Sequence, residues 1–241
     1  MSQAVVIPVY NEARTVDAVL DAVRAVFDGR IIAIDDGSTD GTAELLAARR
    51  DLTVLTHPQN RGYGQSLLDG FERARSEGVT GLVTMDCDGQ HEPSHLRPFL
   101  DALGEDVDLV SGSRYTPESR VIGSAPSQRR EVNVRITALV NALTGYGLTD
   151  AFCGLKAYGP RALQAMTALT EPGYGFNMEL WAFAHRAGLR VVERPVERIY
   201  FDHDRSFGQD LDDAERRVAY YLQIWERALA KELPHPWRAR S

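Results

Sequence analysis

Asp86 and Asp88 stand two residues apart, directly after the apolar run Gly81-Leu-Val-Thr-Met85. On extended backbone, residues i and i+2 project to the same side, so both carboxylates address one point. Like charges this close disfavour each other's ionisation unless a cation lies between them. A hard divalent ion, Mg2+ or Mn2+, suits such a pair, with phosphate oxygens completing its shell. The simpler alternative is a turn with solvated acids, which the short D-x-D spacing alone favours. Position along the chain shifts the balance.

Two further polar clusters also close apolar runs. In Ile34-Asp35-Asp36-Gly37-Ser38-Thr39-Asp40-Gly41-Thr42, Ser38 or Thr39 suits a helix cap. Asp36 is surplus to a cap and could accept hydrogen bonds from a nucleobase or ribose. Ile7-Pro8-Val9-Tyr10-Asn11-Glu12 closes the first run, with Asn11 placed to cap the helix that follows. Three polar strand ends on one sheet edge point to a shared pocket. Other chemistries lack their signatures. There is no G-x-G-x-x-G, no P-loop lysine and no G-x-S-x-G, and Arg61-Gly62-Tyr63-Gly64 reads as a flexible turn. His57, His91, His95, His185, His203 and His235 do not fall at zinc-ligand spacings, and Cys87 has no evident histidine partner.

The elements that must position these residues alternate. Strands are expected at 4–7, 30–34, 52–56, 81–85 and 108–111, and helices at 15–27, 39–49, 64–76 and 94–103. This alternation predicts an α/β fold, a mostly parallel Rossmann-like sheet sandwiched by helices. Ligands of such sheets gather beyond the carboxyl ends of the strands, where the clusters fall. Further on come a polar loop at 116–128, a helix at 129–143 and a short segment at 151–158. A helix at 176–186, a strand at 189–196 and a long C-terminal helix at 211–231 follow. The reading is a single domain over 1–232, with a nucleotide and metal half (about 1–115), an acceptor half (116–232) and a frayed tail at 233–241.

Composition narrows the partners. The 241 residues are 44% hydrophobic and 25% charged, with a net charge of −7. Residues 1–120 hold 20 acids against 11 bases, a net of −9, whereas 121–241 hold 14 acids against 16 bases, a net of +2. That distribution argues against nucleic acid, whose affinity comes from a concentrated basic surface. The acidic half could hold a metal and the basic half could meet an anion. No apolar run approaches the ~18 residues of a membrane span. With no export signal evident and only Cys87 and Cys153 as cysteines, a cytoplasmic setting is expected.

Taken in order and spacing, VVIPVYNE (5–12), IDDGSTDGT (34–42), MDCDGQHEP (85–93) and SGSRY (111–115) resemble glycosyltransferase family 2 with the GT-A fold. The second half is similar to the dolichyl-phosphate mannose synthase group of polyprenyl-phosphate glycosyltransferases. It does so through Arg129-Arg130, Asp150-Ala-Phe-Cys-Gly-Leu-Lys156, Gly173-Tyr-Gly-Phe-Asn-Met-Glu179 and Val192-Glu-Arg-Pro-Val-Glu-Arg198. The resemblance spans about 5–208. It implies that Pro8, Tyr10, Glu12, Ile34 and Asp36 meet the nucleotide, and that Asp86, Cys87, Asp88 and Gln90 meet the diphosphate and its metal. It places Arg114 and Arg198 on phosphates as catalytic residues, and Arg129 and Arg130 on the acceptor phosphate. Where the group carries a lysine, this chain has Phe207, with Arg205 the nearby cation.

The implied reaction is inverting transfer of mannose or glucose from GDP-mannose or UDP-glucose to a polyprenyl phosphate, with peripheral contact at the cytosolic membrane face. A phosphate monoester, with a second pKa of ~6, is already anionic at pH 7 and needs cations rather than a base. A hydroxyl acceptor would need a base, for which Glu179 is the candidate. A soluble UDP-sugar transferase with a hydroxyl acceptor is therefore the alternative. A sugar nucleotidyltransferase would show a Gly-rich basic loop near its start, and a silent binding module would not keep both Asp86 and Asp88.

Overall fold

The computed structural model describes residues 2–123, 127–200 and 211–232. Its main sheet has the strand order β3-β2-β1-β4-β7-β5-β8. The strands are β1 (Gln3–Val9), β2 (Arg30–Asp35), β3 (Thr53–Thr56), β4 (Gly81–Thr84), β5 (Leu109–Ser113), β7 (Lys156–Tyr158) and β8 (Val191–Pro195). Every neighbouring pair is parallel except those of β7, which runs antiparallel to both β4 and β5. A separate parallel ribbon joins β6 (Val121–Gly123) to β9 (Arg198–Tyr200).

Apolar runs become strands here because both sheet faces are covered. Val5, Ile7, Ile31, Ala33 and Val83 enter one core, while their neighbours Ala4, Val6, Ile32, Ile34 and Leu82 enter the other. The first core is closed by α1 (Val16–Val26), α2 (Thr42–Ala48) and α4 (Leu96–Asp101). The second is closed by α3 (Tyr63–Ser76), α5 (Ser127–Thr144), α6 (Pro160–Met166), α7 (Phe176–Arg186) and α8 (Ala214–Ala230). The expected α/β sandwich is the fold observed.

Several boundaries differ for identifiable reasons. The helix expected from 39 begins at Thr42, and its start is secured by Asp40, whose Oδ1 accepts from the Thr42 N–H at 3.1 Å and hydroxyl at 2.5 Å. Neither Ser38 nor Thr39 caps it. The polar loop at 116–128 contains β6, a strand too short to show a period. The segment at 151–158 is a strand only over β7. On α5, Val132, Ile136 and Val140 are buried against α7 and α8, so its apolar stripe is core. The tail at 233–241 lies outside the described residues.

The loop after α5 carries the most connected carboxylate. Asp150 is fully buried, and its Oδ2 accepts from Arg114 Nε at 2.7 Å. Its Oδ1 accepts from Arg114 Nη2 at 3.1 Å, Asn133 Nδ2 at 2.6 Å and the Phe152 N–H at 3.0 Å. Burial alone would raise its pKa, but the Arg114 guanidinium and these donors outweigh it and hold the group at about 2. Asp150→Ala leaves the Arg114 edge unmatched and should cost about 3–5 kcal/mol. Because the folded pKa is depressed, that stability is complete above the unfolded carboxyl value of ~4. It is lost as pH falls through about 2. Urea unfolding of native and variant proteins across that range should show the gap closing towards the acid end; a constant gap would contradict the ion-pair account.

Candidate functional site

Parallel strands all end on one edge, and the loops leaving β1, β2 and β4 there are tied together. Asn11 adopts φ +55°, its N–H donates to Ser38 Oγ at 3.0 Å, and its Oδ1 accepts from the Thr39 N–H at 2.8 Å. It therefore fastens the β1 loop to the β2 loop and does not cap α1. The Thr15 hydroxyl lies 2.7 Å from Glu12 Oε2 and 3.0 Å from the Cys87 carbonyl, joining Glu12 to the β4 loop. Pro8 is half-buried at this edge, and Tyr10 is exposed beside it.

Asp36 is 3% exposed. Its Oδ1 faces His57 Nδ1 at 2.6 Å and accepts from the Arg61 N–H at 2.8 Å, while its Oδ2 accepts from the Gly62 N–H at 2.9 Å. His57 Nε2 in turn faces Asp69 Oδ2 at 2.8 Å. Asp36 thus holds the Arg61–Gly62 turn. The Ile34 side chain is fully buried in the core under α3. The Arg61–Gly64 run is not merely flexible. Gly62 has φ +104°, and a side chain there would strike the Pro172 carbonyl.

That turn delivers Tyr63, whose hydroxyl donates to Asp86 Oδ1 at 3.0 Å. The Asp86 N–H donates to His91 Nδ1 at 3.2 Å, and Asp88 Oδ1 accepts from the Gln90 N–H at 2.9 Å. Beneath Asp86 lies Gly154, where an added Cβ would overlap the carboxylate, 2.7 Å from its Cγ. Lys156, 1% exposed, secures this turn by donating to the Cys153 carbonyl and to Asn177 Oδ1 at 2.9 Å, and burial lowers its pKa. Among the described residues no group of three His, Cys, Asp or Glu could hold a metal ion. Asp86 and Asp88 offer hard carboxylate oxygens, the donor type that suits Mg2+ or Mn2+ when phosphate oxygens complete the shell.

β7 separates β4 from β5, placing their ends ~10 Å apart on the same edge. There Arg114, Arg130 and Arg198 converge on one ring, with guanidinium carbons 5.7, 5.9 and 5.5 Å from the Tyr115 centroid. Arg114 is held by Asp150, so its Nε edge is engaged by protein. Arg198 Nε is buried with no hydrogen-bond partner among the described residues. The Arg129 side chain, Arg205 and Phe207 lie outside the described residues. Glu179 is 2% exposed, and its carboxylate takes the Thr170 and Glu171 N–H groups, each at 2.7 Å, and Lys231 at 3.1 Å. It anchors the 170–171 backbone and Lys231 to the start of α7.

Tyr63, His57, Gly154, Tyr115 and Asp150 were not singled out from sequence. Tyr115, Gly154 and Asp150 lie in motifs quoted above, but their contacts with Arg130, Asp86 and Arg114 join parts remote in the chain. Gly154→Ala tests the arrangement, because the clash falls on a side-chain end and not on backbone. The variant should fold with a near-native Tm, yet bind nucleoside diphosphate with Mn2+ at least tenfold more weakly by calorimetry. Native affinity would remove Gly154 as the seat of Asp86.

Comparison with known proteins agrees with this geometry. Residues 4–166 match the family described as Glycosyl transferase family 2. An undecaprenyl-phosphate mannosyltransferase of Micrococcus luteus is 32% identical over 198 residues, covering 79% of this chain and 81% of its own. A polyprenol monophosphomannose synthase of Mycolicibacterium smegmatis is 34% identical over 200 residues, covering 80% and 75%. In fold, the chain is similar to glucosyl-3-phosphoglycerate synthase of Mycobacterium tuberculosis solved with uridine diphosphate. The TM-score is 0.71 at 21% identity, over 98% of this chain and 82% of the other. Matched over residues 4–166 and built on a GT-A sheet, this chain is a glycosyltransferase belonging to family 2.

Proposed function

We propose that the protein transfers a hexosyl group, mannose or glucose, from GDP-mannose or UDP-glucose to a polyprenyl phosphate, inverting the anomeric carbon. The observation that carries this reading is the arginine cluster on Tyr115, in which Arg198 Nε has no hydrogen-bond partner among the described residues. Neighbouring cations repel, and a dianionic phosphate beside them would relieve that repulsion. The two relatives above, named for undecaprenyl phosphate and polyprenol, support the same class of acceptor.

Asp86 and Asp88 would hold Mg2+ or Mn2+, and Gln90 and the Cys87 backbone lie in the same loop. The ion supplies Lewis-acid stabilisation of charge on the leaving group. Pro8, Tyr10 and Glu12 line the nucleotide side, and Asp36 acts there through the turn it holds. Arg130 and Arg198 orient the acceptor phosphate, whose oxygen needs no base. The hydroxyl-acceptor alternative loses its candidate base, because Glu179 is enclosed by backbone donors and Lys231. No described helix is long and apolar enough to cross a membrane. Peripheral contact at the cytosolic membrane face is part of the proposal.

The decisive assay offers radiolabelled GDP-mannose and UDP-glucose with Mn2+ and polyprenyl phosphate, and looks for an organic-extractable glycosyl lipid. No such product with either donor would overturn the reading. Arg130→Ala and Arg198→Ala should each cut transfer at least tenfold while donor affinity stays near native. Equal loss of donor affinity would move both residues out of the acceptor site. Asp88→Asn should abolish transfer without lowering Tm, as should excess EDTA on the native enzyme; full activity under either condition would refute the metal assignment.

A further inference from the structure

The β6–β9 ribbon carries an apolar surface that the site chemistry leaves unused. Val121 pairs with Arg198 and Ile122 with Ile199. Ile199 is buried, but Val121 is 54% and Ile122 41% exposed. Consecutive strand residues point to opposite faces, so β6 presents hydrocarbon on both of its sides. Val134 is 60% exposed and stands four residues after Arg130 on α5, hence on the same helix face. Single exposed apolar side chains are ordinary. Here the three lie beside arginines that share one cluster, with Arg198 across the ribbon from Val121 and Arg130 one turn from Val134. Exposed Arg120 directly precedes the strand, and its carbonyl accepts the Arg198 N–H at 2.7 Å.

Hydrocarbon bordered by cations matches an anionic lipid leaflet, in which phosphates lie above acyl chains. We propose that Val121, Ile122 and Val134 form the membrane-docking surface of this protein, entering the leaflet beside the lipid phosphate that Arg130 and Arg198 hold. The inference rests on the acceptor reading above and adds to it the face that meets the bilayer. The ribbon positions: β9 is anchored in the core by Ile199, so the β6 edge reaches the acyl boundary with Arg198 alongside at headgroup depth.

The test is binding to phosphatidylethanolamine–phosphatidylglycerol vesicles with and without undecaprenyl phosphate. The V121T/I122T/V134T variant keeps a β-branched side chain at each position while removing apolar surface. Its vesicle affinity should fall about tenfold or more. With undecaprenyl phosphate in the vesicles, KM for that lipid should rise by a similar factor while the Kd for the donor stays native, which also certifies the fold. As a gain-of-function arm, Val134→Phe should tighten vesicle binding. Native vesicle affinity in the triple variant, or no tightening by the Phe variant, overturns the docking surface. The acceptor reading fails separately: it falls if the native protein binds these vesicles but transfers no sugar to undecaprenyl phosphate, even when the lipid is supplied in detergent.

Discussion

Lys156–Tyr158 runs against the direction of both its neighbours, and the site depends on that reversal. In a parallel sheet each strand's entry lies on the edge opposite its exit, so only exits can build a site at the carboxyl edge. An antiparallel strand inverts this, and the residues leading into β7 arrive where β4 and β5 leave. Residues 150–155 thereby serve two clusters at once. Asp150 fixes Arg114 on the β5 side, and Gly154 makes room for Asp86 on the β4 side. The buried Lys156 ammonium closes the turn between them by binding the Cys153 carbonyl and Asn177.

The same reversal governs the electrostatics. Acids at Asp86 and Asp88 and cations at Arg114, Arg130 and Arg198 occupy one edge, with a strand's width between the ends of β4 and β5. Buried partners elsewhere are structural: Asp150 holds Arg114, and His57 sits between Asp36 and Asp69. The second of these locks the turn that brings the Tyr63 hydroxyl to Asp86. Buried carboxylates here position backbone, whereas the carboxylates left for chemistry are those on the open edge.

This division explains what could be read from sequence. The doubly buried strands were legible because their apolar runs are continuous, and Asp86 and Asp88 because their spacing is local. The three-residue strands β6, β7 and β9 were not, since such lengths carry no period. Asp36 and Glu179 illustrate the other gap. A carboxylate in a motif looks the same whether it meets a ligand or a backbone N–H, and the Asp36 contact is with Arg61, 25 positions further along the chain. Arg114, Arg130 and Arg198 were assigned to phosphates by resemblance, but their convergence on Tyr115 is a property of the fold.

The geometry also bears on why a phosphate acceptor suits this scaffold. Under the proposed reaction both partners are anionic at the reacting centre, the donor through its diphosphate and the acceptor through its monoester. Bringing them within bonding distance is opposed mainly by charge, a cost that grows as water leaves. A carboxylate base would worsen it. The described edge instead offers fixed cations on one side and a hard-ion site on the other, each rigidly seated before substrate arrives. Preorganised charge of this kind lowers the barrier because it needs no rearrangement during the step. Burying Glu179 against backbone donors and Lys231 then removes an anion from the site and uses it for structure, as expected of an enzyme whose task is neutralisation rather than proton transfer.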